Sequence, residues 1–375
     1  MKKINNPFLV YGYVNPDYFC DRVSETDRLI SALKNGRNVT LMSQRRMGKT
    51  GLIKNAFYHI QENDKDAVCI YMDIFSTNNL SEFVGVFGKS VLGRLDTTSQ
   101  KVVAALKGFL KSCRLVLSAD ELTGSPQLKL DFQPSDTQST LEEIFDYLSH
   151  SDKECFIAID EFQQITEYPE KGVEGLLRSL IQFCPNVHFI FSGSKRHLMS
   201  DIFNSAKRPF YRSTETLSLA EIPFESYYQF AQKWMNEAGI GLNETDFQII
   251  YNQVNGHTWH VQYVLNKLYG WTPEEINEDL IKQCFNEIIF SELDKFQQLY
   301  DTLSENQSLL LRAIAKEKCV NAINASGFIK KYNLKTASSI NTALKHLVDK
   351  DYVYRSKDGY AVSDHFMRLW LQTLP

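Results

Sequence analysis

Up to Pro223, short apolar runs alternate with stretches in which apolar residues recur every three or four positions. The runs are NVTLMS, AVCIYMDIF, ECFIAID, VHFIFSGS and TETLSLA, and each reads as a strand. Between them, SETDRLISALKNG carries Leu29, Ile30 and Leu33 on one face. It predicts a helix capped by Ser24 and stopped by Gly36. After Lys49, the residues Leu52, Ile53, Ala56, Phe57 and Ile60 keep helical spacing. SEFVGVFGKSVLGRL, KVVAALKGFLKSC and TLEEIFDYLSH are expected to be helices too. Near-continuous apolar strands alternating with helices imply a parallel sheet covered on both faces. RLVLSADELTGSPQLKLDF breaks this pattern. It alternates on both sides of a Gly-Ser-Pro turn and predicts an exposed β-hairpin inserted at about 114–133.

From Pro223 onward the strand pattern gives way to helical periodicity, and a small helical lid domain is expected over 223–303. From Ser304, three helical stretches precede DYVYRSKDGYAVSD, which reads as strand, Lys-Asp-Gly turn, strand. That order predicts a winged helix-turn-helix over 304–375. The α/β domain then occupies 1–222. A chain of 375 residues is long enough for this division.

The composition, 43% hydrophobic and 23% charged, is ordinary for a globular protein. A net charge of -4 argues against nucleic-acid binding by the whole chain. The seven cysteines are scattered, with no C-x-x-C spacing, and read as buried reduced thiols rather than a zinc site or a disulfide framework. The N-terminus has no signal-peptide pattern, and no run approaches the roughly 18 apolar residues of a membrane span. The expected location is the cytoplasm, with no membrane partner.

Candidate chemistry lies where the first strand meets the following helix, in LMSQRRMGKTGL. Gly48-Lys49-Thr50 resembles the end of a phosphate-binding loop, although Ser43 stands where the pattern G-x-x-x-x-G-K-[ST] has its first glycine. Such a loop wraps phosphate in backbone N–H groups at the positive end of a helix. Lys49 is then the phosphate ligand and Thr50 the Mg²⁺ ligand. Ser43, Gln44, Arg45, Arg46, Met47, Gly48 and Gly51 complete the expected nucleotide cradle. A second motif agrees: the apolar run CFIAI ends in Asp160-Glu161. Ligands of such sheets lie off the carboxyl ends of the strands. Asp160 is therefore the expected metal-side carboxylate and Glu161 the expected catalytic base.

Ser192 and Ser194, ending another strand, either contact phosphate or water or make a plain turn. Arg208 and Arg212 either pair with local acids or serve as an arginine finger in an assembly, with Arg212 favoured. Gly256 and His257 either approach the nucleotide or form an ordinary capping turn.

Together these residues resemble the archaeal-type ATPases of the AAA+/STAND group of P-loop NTPases. The similarity runs through Arg45-Arg46, Gly48-Lys49-Thr50, Leu52, Asp160-Glu161 and the closing DHFMRLWL. The chain departs at Asp21, Ser43, Gln44 and Gly51, and Asn255-Gly256-His257-Thr258 lacks the proline of the lid phrase. The resemblance implies ATP, Mg²⁺, strand order 5-1-4-3-2, a helical lid and a winged helix. Residues 305–375 hold eleven Lys and Arg against six Asp and Glu, a balance of +5 that leaves -9 for the rest. This domain is expected to meet either DNA or a protein partner. Two functions remain: an ATP-hydrolysing molecular switch, or a nucleotide-gated DNA-binding or regulatory protein with little turnover.

Overall fold

A computed structural model describes residues 4–95, 111–119 and 126–374. Of the helix expected over 101–113, residues 101–110 lie outside the described residues, as does the Gly-Ser of the hairpin turn, and Cys113 opens a strand instead. The chain divides into two compact units, one of residues 11–221 and one of residues 1–10 with 222–375.

The first unit is built on a parallel five-stranded sheet. Its strands are β1 (Val39–Met42), β2 (Val68–Asp73), β5 (Cys155–Asp160), β6 (Val187–Gly193) and β7 (Glu215–Ser218). Their spatial order is β2-β5-β6-β1-β7, which is 5-1-4-3-2 when the sheet strands are counted along the chain. Strands β3 (Cys113–Ala119) and β4 (Pro126–Phe132) pair antiparallel in a separate two-stranded sheet.

Strand pleating sorts the side chains into two cores. One face packs α1 (Val23–Lys34) and α2 (Lys49–Asn63) through Leu29, Leu33, Leu52, Ile53 and Ala56 against Leu41, Cys69, Phe156 and Ala158. The other packs α3 (Leu80–Leu95) and α4 (Thr137–Ser149) against Ile70, Ile157, Phe189 and Phe191, joined by α5 (Val173–Ile181) and α6 (Arg196–Asn204). Alternation therefore aims residues 156, 158 and 160 of β5, and 69, 71 and 73 of β2, toward the α2 side.

The start of α1 differs from expectation. Ser24 does not cap it; the hydroxyl turns to Glu25 Oε2, and the helix begins at Val23 after left-handed Asp21 and Arg22. Arg22, 3% exposed, fixes this turn by reaching the carbonyls of Ala220 (2.7 Å) and Met47 (3.4 Å) and the carboxylate of Glu25 (2.9 Å). Tertiary anchoring overrides the local capping signal here.

In the second unit, α7 (Phe224–Glu237), α8 (Glu244–Gln253), α9 (Thr258–Trp271) and α10 (Glu278–Asp301) come first. Asn6 and Asn266 tie the N-terminal segment to α9: Asn6 Nδ2 donates to the Asn266 carbonyl, and Asn266 Nδ2 to the Phe8 carbonyl. There follow α11 (Glu305–Glu317), α12 (Ser326–Lys331) and α13 (Ala337–Asp349), then the antiparallel pair β8 (Val353–Arg355) and β9 (Tyr360–Val362). Val320 bridges to Tyr360 as a third member of the wing. The closing DHFMRLWL forms α14 (His365–Thr373), whose first amides are capped by Asp364. Among the described residues no helix is long and apolar enough to cross a membrane. Six of the cysteines are buried, Cys319 is half-buried, and all seven are unpaired thiols.

Candidate active site

β1 ends at Met42 and the chain turns through Ser43–Gly48 into α2. The left-handed residues of this loop are Arg46 (φ 64°) and Gly48 (φ 92°), and Ser43 is not among them. The first glycine of the usual pattern is therefore not needed for backbone freedom. Alternating left-handed residues turn successive N–H groups inward, the geometry of an anion nest. Gly51 has a separate reason: a Cβ there would lie 2.8 Å from the Phe19 ring.

Lys49 is 6% exposed. Its Nζ donates to the Gln44 carbonyl (3.1 Å) and lies 3.4 Å from the Ser43 carbonyl. Burial pulls the Lys49 pKa below the ordinary lysine value, and the charges of Glu161 and Asp160 oppose that shift. Thr50 Oγ1 donates to Asp160 Oδ2 at 2.9 Å. Met47 is buried, while Arg45 and Arg46 are exposed on the loop.

Asp160, 4% exposed, closes β5. Besides Thr50, it accepts from the Tyr71 hydroxyl (Oδ2, 2.7 Å) and the Glu161 amide (Oδ1, 3.0 Å). Glu161 is left-handed (φ 55°), a strained conformation for a residue with a side chain. Its Oε2 accepts from Ser194 Oγ at 2.8 Å and from Gln163 Nε2. The pair of acids thus sits at the carboxyl end of β5, one facing the loop helix and the other held by polar side chains.

Ser192 pairs with Leu41, one residue beyond the Ile159–Phe191 pair. It is fully buried and its hydroxyl has no hydrogen-bond partner among the described residues. Asp73 pairs with Asp160 in the sheet register, and burial raises its pKa, with Asp160 and Glu161 adding to the rise. Arg208 is committed to ion pairs with Glu174 and Asp201, both at 3.1 Å. Arg212 is exposed and left-handed (φ 53°), with its guanidinium 5.3 Å from the Tyr211 ring centre. His257 belongs to the second unit and precedes α9; its Nδ1 lies 2.9 Å from Nδ1 of His260, and its ring packs near His365.

Three contributors escaped the sequence reading. Arg22 lay in a stretch read only as the run-up to a helix. Tyr71 was one polar tip in an apolar strand. Gln163 followed the acids without a motif of its own. The usable signals are the strand period, which puts Tyr71 on the Asp160 side, and the two-residue offset of Gln163 from Glu161.

A hydroxyl oxygen and a carboxylate within hydrogen-bond distance suit a hard cation that binds oxygen. Among the described residues no group of three or more His, Cys, Asp or Glu side chains is arranged to hold a metal. Mg²⁺ does not require one, because it is usually held by one or two carboxylates with water and substrate phosphates.

Residues 19–264 match the family described as an ATPase domain predominantly from Archaea, a span well over half the chain. The chain belongs to this family and is an ATPase. Residues 294–373 of the ATPase match a probable winged helix domain. A Walker-type ATPase of Pyrococcus abyssi superposes on it with a TM-score of 0.66 at 16% identity, covering 98% of this chain and 99% of that one. The ORC2 protein of Aeropyrum pernix, solved as ADPNP-ADP complexes, gives 0.58 at 16% identity over 97% and 95%. The ORC1 protein of Aeropyrum pernix, solved in complex with DNA, gives 0.53 at 13% identity over 98% and 96%. At these identities the superpositions establish the fold of the ATPase. No curated protein sequence matches it.

Proposed function

We propose that this ATPase is a Mg²⁺-dependent molecular switch that hydrolyses ATP and passes its nucleotide state to the winged helix. The observation that carries the reading is the meeting of Thr50 and Asp160 beside Glu161. A nucleotide-binding loop alone needs no second acid, whereas hydrolysis needs a base near the attacking water. In this reading Lys49 binds phosphate, Thr50 and Asp160 hold the metal, and Glu161 orients and deprotonates water. The buried Ser192 hydroxyl, without a partner among the described residues, is assigned to the γ-phosphate or that water. Mg²⁺, when bound, neutralises phosphate charge and fixes the triphosphate. The three domains are assigned to 1–222, 223–303 and 304–375, and His257 to the lid side of the switch. Arg212, exposed and without an acid pair among the described residues, is the residue assigned to a neighbouring subunit's nucleotide should the protein assemble.

The switch is tested by hydrogen exchange on the Glu161→Gln chain. Protection within 304–374 should differ between ATP and ADP. Identical exchange in both states contradicts it.

A second reading, DNA contact, is favoured by one feature of α13. Ser338, Asn341, Thr342 and Lys345 are all exposed and follow helical spacing along one face. Binding to duplex DNA should then weaken steeply with salt and fall on Lys345→Ala. Salt-independent binding, or none, removes this reading.

A further inference from the structure

We propose that Tyr71 is a positioning residue that sets how the metal-side carboxylate of Asp160 meets Thr50. The inference rests on the reading of Thr50 and Asp160 as the metal-holding pair. Tyr71 lies in β2, where the strand period turns it toward α2, and its partner in register is Ala158, two residues before Asp160. Its hydroxyl therefore reaches diagonally to Asp160 Oδ2, at 2.7 Å. That same oxygen accepts from Thr50 Oγ1 at 2.9 Å, while Oδ1 takes the Glu161 amide at 3.0 Å.

A carboxylate oxygen offers about two acceptor positions, so these two hydroxyls fill Oδ2. They differ in what they can release. A threonine hydroxyl at this place can turn its lone pair to a cation. The phenol is anchored by its ring: it packs against the core beneath α2, and Lys54 Nζ lies 5.2 Å from the ring centre. Lys54 follows Thr50 by four positions, so both project from one stripe of α2. One side chain thus touches the helix that carries Thr50 and the strand that carries Asp160. Were Thr50 to give up this bond on meeting a cation, Tyr71 would keep Oδ2 aimed and leave one acceptor position for the metal or its water.

Tyr71→Phe keeps the ring and removes the donor. The full-length chain is titrated with a fluorescent ATP analogue, first in EDTA and then across Mg²⁺ concentrations, with thermal unfolding alongside. The expected result is an unchanged metal-free affinity and thermal midpoint, with the Mg²⁺ concentration for half-maximal tightening raised about tenfold, the scale of a hydrogen bond to a charged group. An unchanged Mg²⁺ dependence overturns the proposal. So does a parallel loss of metal-free affinity and thermal midpoint, which marks a purely structural side chain. Absence of any Mg²⁺ effect in the wild type is a different failure: it removes the metal-side reading of Thr50 and Asp160, and this inference with it.

Discussion

The Thr50 hydroxyl donates to Asp160 Oδ2 at 2.9 Å, joining residues 110 positions apart. The contact links the start of α2 to the end of β5, the two places where an NTPase gathers its metal ligands. Asp160→Asn should abolish the Mg²⁺-dependent tightening of ATP binding while leaving metal-free binding near wild type. Thr50→Ala should weaken the tightening about tenfold, and Thr50→Ser should restore it. Titration calorimetry with and without Mg²⁺ reads both; equal Mg²⁺ effects in all variants contradict the assignment.

Arg22 ties the phosphate loop to the end of the sheet through the carbonyls of Met47 and Ala220. Removing it leaves buried carbonyls without a donor. Arg22→Ala should lower unfolding free energy by about 2–3 kcal/mol and loosen nucleotide binding. Arg22→Lys should recover little, because one ammonium cannot reproduce the fork. Urea unfolding decides it; a loss within about 0.5 kcal/mol, the range of an ordinary surface change, contradicts the role.

Ser194 and Gln163 both donate to one oxygen of Glu161. With Glu161 as the proposed base, removing either should blur its aim without touching nucleotide contacts. Ser194→Ala and Gln163→Ala should each lower kcat about tenfold with little change in KM. A rise in KM at unchanged kcat would place them in substrate binding instead.

The buried Lys49 gives a pH signature. Its folded pKa lies below 10.5 because of burial, against the pull of Glu161 and Asp160. Between that lowered value and 10.5 the unfolded chain holds the proton and the folded chain does not, so stability rises with pH there. Below that window the buried charge is a constant cost. Lys49→Met should therefore be about 1 kcal/mol more stable than wild type near neutral pH. The gap should narrow as pH climbs toward 10.5. Urea unfolding across that range measures it, and a gap that does not change with pH contradicts the account.

The sheet was legible because its strands are buried on both faces and read as unbroken apolar runs: Cys155–Asp160 and Val187–Gly193 are buried throughout. Gly48-Lys49-Thr50 and Asp160-Glu161 could be singled out because such motifs stand at the ends of apolar strands, and the fold brings Thr50 to Asp160. Ser43 departs from the pattern at a position that needs no left-handed backbone; the left-handed positions fall at Arg46 and Gly48. The helix start at Val23 was missed because a buried guanidinium, not a local cap, sets it. Tyr71 and Gln163 were not singled out as partners of the acids, because strand register and a short turn bring them there and neither belongs to a motif; Ser194 was singled out for phosphate or water, and its contact with Glu161 emerged only from the fold. Arg208 could be separated from Arg212 only by geometry, through its pairing with Glu174 and Asp201.

The most direct test of the central claim is steady-state ATP turnover in Mg²⁺ for wild type, Lys49→Ala and Glu161→Gln, with ATP binding measured on the same samples. The account predicts that Glu161→Gln retains ATP binding and loses at least about a hundredfold in kcat, the scale of general base catalysis. Lys49→Ala should lose both. Wild-type turnover no greater than that of Glu161→Gln would contradict it.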